Sequence, residues 1–136
     1  MPVYYADASA LVKLVRQEAE SDALRAYIGD ADLVSSELAL TEIPRAIHRI
    51  AARDRRHLTR LLEQAEEVID RLALRPLDSH LLATAGALAE PALRALDAIH
   101  VATAIDLHPI ESFVTYDERQ AAAARLAGVR TVAPGL

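Results

Sequence analysis

The 136-residue chain has no cysteine. That absence removes disulfides, thiolate catalysis and cysteine-ligated metals together. No apolar run approaches the ~18–20 residues that span a bilayer. The opening stretch "MPVYYADASALVKL" has no basic leader and meets Asp7 early, so a secretory signal is not expected and the cytoplasm is the default compartment. Neither G-x-G-x-x-G nor G-x-x-x-x-G-K-[ST] occurs, which sets aside dinucleotide and P-loop nucleotide sites. Aromatic residues are scarce. Tyr4, Tyr5, Tyr27, Phe113 and Tyr116 are too scattered for a base-stacking platform. His48, His57, His80, His100 and His108 fall in no H-x-E or H-E-x-x-H spacing, and His100 is expected to make a structural hydrogen bond. Lysine is reduced to Lys13 beside fourteen arginines, a bias read as codon composition.

What remains describes one globular domain over residues 1–136, with 52% hydrophobic and 26% charged residues. The formal net charge of −5 argues against nucleic-acid binding by the whole surface. The charge is uneven, however. Residues 45–60, "RAIHRIAARDRRHLTR", hold six arginines against one acid, among them Arg45, Arg49, Arg53, Arg55 and Arg56. Taken alone, such a run is usually a solvated helical face.

Strand-like and helix-like stretches alternate. "PVYYA" leads into a helix near Asp7, "EAESDALRAYIG" is a second helix closed by Gly29, and "ADLVSS" is a second strand. "SELALTEIPRAIHRIAARD" has helical propensity, with a kink or restart expected near Thr41–Pro44. Residues 58–72 place Leu58, Leu61, Leu62, Ala65, Val68, Ile69 and Leu72 on one helical stripe. "LALRPL" is a third strand, and "DSHLLATAGALA" is a helix capped by its Asp. A helix at 97–107, the strand "ESFVTY", the helix "DERQAAAARLAG" and the short strand "VRTVA" complete the chain. This order predicts an α/β domain with three α/β/α layers around a mainly parallel sheet of four to five strands. The helices between 37 and 72 are expected to form a hairpin standing off the sheet.

In an open parallel sheet, sites lie beyond the carboxyl ends of the strands. Asp7 and Asp117 follow strands, Asp97 heads the helix before one, and Glu42 lies in the helix after the second strand. Each has a plain alternative: Asp7, Asp97 and Asp117 are credible N-caps, Thr115 with Glu118 spells a capping box, and Glu42 suits a solvated helix face. Together, acids on one sheet edge with no histidine–cysteine set suit hard cations such as Mg²⁺ or Mn²⁺. Such ions activate water and offset the charge that grows during phosphodiester cleavage. An aspartyl-phosphate phosphatase would need a second Asp two residues after the first, where Ser9 stands.

The stretches "DASALVK", "TEIPRA", "LDAIHVATA" and "TYDERQAAAARLAG" resemble, in order and across residues 3 to about 132, the four acidic motifs of PIN-domain ribonucleases. The likeness is to the VapC-type toxins of bacterial toxin–antitoxin pairs. It implies that Asp7, Glu42, Asp97 and Asp117 bind one or two Mg²⁺ or Mn²⁺ ions and catalyse RNA hydrolysis by metal-activated water, leaving 5′-phosphate and 3′-hydroxyl ends. Ser9 and Thr115 match positions where a hydroxyl supports the acidic pocket. Implied partners are an RNA substrate, a VapB-type antitoxin and a second copy of the chain, with no membrane. Leu11, Leu14, Val15 and Leu24 are candidates for part of those protein contacts. Arg45, Arg49, Arg53, Arg55 and Arg56 are candidates for RNA phosphates. The competing reading is a PIN fold kept as a non-catalytic interaction module.

Overall fold

The apolar run Val3–Ala6 forms strand β1 at the centre of a five-stranded, all-parallel sheet in a computed structural model describing residues 2–136. Helices α1 (Ala8–Val15) and α2 (Ser21–Ile28) lead to β2 (Asp32–Ser36). Next come α3 (Ala39–Ile50), a 3₁₀ turn (Arg55–His57), α4 (Leu58–Asp70) and β3 (Leu72–Arg75). The chain closes with α5 (Ser79–Gly86), α6 (Ala95–Asp106), β4 (Ser112–Val114), α7 (Glu118–Leu126) and β5 (Thr131–Val132). The strand order is β3-β2-β1-β4-β5. The first half of the chain thus builds outward on one side of β1, and the second half on the other.

Alternation along the strands divides the core into two layers, because successive side chains point to opposite faces. Ala6 and Val114, paired in register, face α1–α4 with Leu11, Leu24, Ile43 and Ile47. Tyr5 and Phe113, also paired, face α6 and α7 with Val101, Ala104 and Ala124. The expected three layers are therefore present. Leu11, Val15 and Leu24 are buried in the first layer, so they are core rather than docking surface, and Leu14 is partly buried against it. Leu11→Ala is expected to cost about 2–5 kcal/mol, read from the urea midpoint at constant slope, because the site is fully enclosed.

Two local expectations change. α3 runs unbroken from Ala39 to Ile50 with Pro44 inside it, so there is no restart at Thr41–Pro44. Burial of Ala39, Ile43 and Ile47 outweighs the backbone hydrogen bond that proline removes. The α3–α4 pair does not stand off the sheet. α1 packs against both helices, and the stripe of α4 joins the same core layer through Ala65. At the end of α2, Gly29 takes φ +50°, a conformation glycine reaches without the Cβ penalty.

Candidate active site

The chain leaves β1 toward β2 on one side and returns to β4 on the other. That reversal makes the carboxyl ends of β1 and β4 a topological switch point, where a crevice opens between diverging connections. Asp7 follows β1, and Thr115 and Asp117 follow β4.

Asp7 is the N-cap of α1 and is completely buried. Its Oδ1 accepts hydrogen bonds from the Ser9 hydroxyl (2.7 Å) and the Ala10 backbone N–H (3.1 Å). Its Oδ2 accepts from the Thr115 hydroxyl at 2.6 Å. Burial pushes the Asp7 carboxyl above the usual carboxylate range, opposed by the nearby His100 ring and by the Thr115, Ser9 and Ala10 hydrogen bonds. No Lys or Arg pairs with it among the described residues.

Thr115 and Ser9 act as braces. The Thr115 oxygen that donates to Asp7 also accepts the Asp117 backbone N–H at 3.0 Å, and Ser9 Oγ accepts the Tyr116 N–H at 3.0 Å. Thr115 therefore does not cap α7 with Glu118. The N-cap is Asp117, whose Oδ1 accepts from the N–H groups of Arg119 and Gln120.

Asp97 also departs from expectation. α6 begins at Ala95, so Asp97 is its third residue rather than its cap. Its Oδ2 accepts the Arg94 N–H at 3.3 Å. This is half of a capping box, because a guanidinium only donates and Arg94 cannot supply the reciprocal acceptor. Its Oδ1 accepts from Gln120 Nε2 at 3.1 Å. Gln120 thus joins Asp97 to the first turn of α7, beside Asp117. Glu42, in the first turn of α3, receives His100 Nε2 at 2.6 Å. His100 and Gln120 are two site residues that the sequence reading did not assign to the acids. No local spacing signals either contact, because each side chain reaches an acid on a different element.

The family model "PIN domain" matches residues 4–126. The chain belongs to the PIN domain family. This PIN domain is 39% identical over 96% of both chains to "Ribonuclease VapC35" of Mycobacterium tuberculosis (strain ATCC 25618 / H37Rv). It is 40% identical to "Ribonuclease VapC46" of the same strain, over 98% of this chain and 99% of the other. A third relative, "Ribonuclease VapC47" of M. tuberculosis (strain CDC 1551 / Oshkosh), is 32% identical over 96% of both chains.

Beside the acids, the PIN domain opens a cleft of about 570 Å³ lined by Ser9, Lys13, Glu42, Arg45, Arg49, Leu96 and Tyr116, among others. Leu96 and Tyr116 adjoin Asp97 and Asp117 in sequence, so the cleft wall runs past all four motifs. Arg45 and Arg49 are exposed, one turn apart, and have no carboxylate partner among the described residues. Arg53, Arg55 and Arg56 lie past the end of α3 and do not line the cleft. Arg56 is held by Asp54 through Nε (2.9 Å) and Nη2 (2.8 Å). Lys13 is also engaged, with Glu20 at 3.0 Å and Glu18 at 3.4 Å, and it lies over the Tyr116 ring.

Whether these residues suit a divalent cation depends on their donors. The set is all oxygen and mostly carboxylate, the kind that hard cations take. Gln120 Oε1 is buried and has no hydrogen-bond partner, while the Nε2 of the same amide holds Asp97. An orphaned carbonyl oxygen beside Asp97 suits a cation or its water shell. Among the described residues, no three His, Asp or Glu side chains stand close enough to hold one ion. The acids are instead joined in pairs through Thr115 and Gln120. The site fits a hard cation by donor chemistry and edge placement, without a ready-made cage.

Proposed function

We propose that this PIN domain is the toxin endoribonuclease of a VapBC-type toxin–antitoxin pair, cutting RNA phosphodiester bonds with Mg²⁺ or Mn²⁺. The observation that carries this reading is the complete burial of Asp7 at the β1–β4 switch point, with no Lys or Arg paired to it among the described residues. A fully buried carboxylate with no basic partner is costly unless something of positive charge meets it. The ribonuclease names of the relatives supply the substrate class.

Asp7, Glu42, Asp97 and Asp117 would hold one or two cations by drawing closer on binding, since no three of them stand close enough without it, and Gln120 Oε1 would add a neutral oxygen. A divalent ion there supplies the Lewis acidity that makes water a nucleophile at neutral pH. The chain's own residues do the rest. Ser9 and Thr115 keep Asp7 aimed, and the first turns of α6 and α7 hold Asp97 and Asp117. Arg45 and Arg49 on the cleft wall receive RNA phosphates, where a guanidinium makes two parallel hydrogen bonds. The protein acts in the cytoplasm as a homodimer and is restrained by a VapB-type antitoxin. No helix among the described residues is long and apolar enough to cross a membrane.

Purified protein should cut a labelled structured RNA with Mg²⁺ or Mn²⁺ and stop on adding EDTA. Failure with every divalent cation and a panel of RNAs would instead favour the non-catalytic module. Replacing Arg45 and Arg49 together by Ala should weaken RNA binding and flatten its salt dependence by up to about 0.7 per lost contact on a single strand. An unchanged slope would move the RNA path off α3. Light scattering at micromolar concentration should give twice the 14.8 kDa chain mass, and a monomer would refute the dimer.

A further inference from the structure

The Glu42 carboxylate is not free in the cleft. It meets a histidine from a different layer of the fold, and that histidine is itself held from behind. His100 lies on α6, is 1% exposed, and brings Nε2 to 2.6 Å from Glu42 Oε1. Its other ring nitrogen, Nδ1, is 2.7 Å from the hydroxyl of Tyr5 on β1. Tyr5 is fully buried between His100 and Phe113. A chain of two short hydrogen bonds thus joins the central strand, α6 and α3, ending on a side chain that lines the cleft.

We infer that His100 is a positioning residue for the PIN-domain reaction, fixing Glu42 toward the cation through an Nε2–H whose tautomer is set by Tyr5. This rests on the ribonuclease reading above. An ionised carboxylate only accepts, so Nε2 must carry the hydrogen that lies between His100 and Glu42. In the neutral ring Nδ1 is then an acceptor, and the Tyr5 O–H is the donor facing it. The arrangement is a carboxylate–imidazole pair in which the imidazole orients a candidate ligand, and removal of such outer partners typically costs about 10–100-fold in metal affinity or activity. A histidine serving only the core needs shape and two satisfied nitrogens. It does not need its donor to end on a carboxylate 58 positions away on the cleft wall.

Three substitutions separate positioning from packing. His100→Gln can return an N–H to the place of Nε2. His100→Asn offers its amide near Nδ1 and falls short of Glu42. His100→Phe keeps a ring and no donor. Positioning predicts that Asn and Phe weaken Mn²⁺ binding, followed by the loss of free Mn²⁺ paramagnetic signal, by about 10–100-fold. kcat on RNA should fall in parallel while KM changes less, and Gln should recover most of both. If Phe binds Mn²⁺ and turns over within twofold of the wild type, His100 is a core residue and the proposal is overturned. If the variants do not fold, ¹⁵N spectra of the wild-type His100 ring still decide. A hydrogen on Nε2 supports the assignment, and an Nδ1–H, Nε2-bare ring overturns it. Glu42→Gln is the control. If it leaves Mn²⁺ affinity and cleavage intact, Glu42 is no ligand and the proposal is overturned with it, while the ribonuclease reading stands on the retained cleavage.

Discussion

Asp7→Asn is expected to abolish RNA cleavage and, in EDTA, to leave the protein more stable than the wild type at neutral pH. Asn keeps an oxygen for the Ala10 N–H and the Ser9 hydroxyl, so the cap of α1 survives, while its NH2 takes the place of the oxygen that accepts from Thr115, whose hydroxyl must turn to accept instead. The sign follows from the direction of the Asp7 shift. Burial raises its pKa in the folded protein above the unfolded value of about 3.9. Its contribution to stability is therefore fully present below pH ~3.9 and is lost as pH rises through the folded value. Above that value the wild type carries a buried carboxylate whose hydrogen bonds and nearby His100 ring do not fully offset its desolvation, and the Asn variant does not. The stability difference should be small in mild acid, grow with pH and then level off, as read from urea unfolding in EDTA across that range. Added Mg²⁺ should reverse the order, because only the wild type gains a partner for its charge. A difference that stays constant with pH would show that Asp7 is not burdened by its burial. The activity loss should exceed the roughly 10–100-fold expected for an outer partner such as His100.

Asp97→Asn separates a helix-terminal role from a ligand role at a different acid. Asp97 sits in the first turn of α6, accepting the Arg94 N–H on one oxygen and Gln120 Nε2 on the other. An Asn there retains one acceptor, so metal-free stability should change by no more than about 1 kcal/mol, the scale of a charge–dipole contribution at a helix end. With cation at a hundredfold excess over its Kd, the wild type should gain about 2.7 kcal/mol, since the ion binds the folded site only. The Asn variant should lose most of that gain together with nearly all cleavage. A variant that keeps both the Mg²⁺ shift and the ribonuclease activity would reduce Asp97 to a helix-end residue. The same titration on Gln120→Leu asks whether the orphaned Oε1 matters, and a smaller Mg²⁺ shift is expected there.

The parts of this protein written in short-range pattern could be read without coordinates. The i, i+3, i+4 stripe from Leu58 to Ile69 is α4, and its spacing alone specifies a helix with one apolar side. Asp7, Asp78 and Asp117 cap helices, because an Asx side chain reaches N–H groups two or three residues ahead whatever the rest of the chain does. Strands alternating with helices imply a parallel sheet, and acids after strands imply its carboxyl edge. Local pattern failed where two local outcomes were both sound. Asp97 could begin a helix or stand in its first turn, and the extended backbone of Arg94 chose the second. Pro44 could stop α3 or be carried by it, and burial of Ala39, Ile43 and Ile47 carried it. The arginine run looked uniform, yet only Arg45 and Arg49 share the cleft wall with Glu42. α3 ends at Ile50, and the chain turns away before Arg53. The connections among the acids were out of reach altogether. Thr115 meets Asp7 across 108 positions and His100 meets Glu42 across 58, and no periodicity spans such distances. Those contacts exist because β4 pairs with β1 and α6 lies over the central strands. Strand order is chosen by the packing of both layers at once, a property of the assembled sheet that no single segment carries.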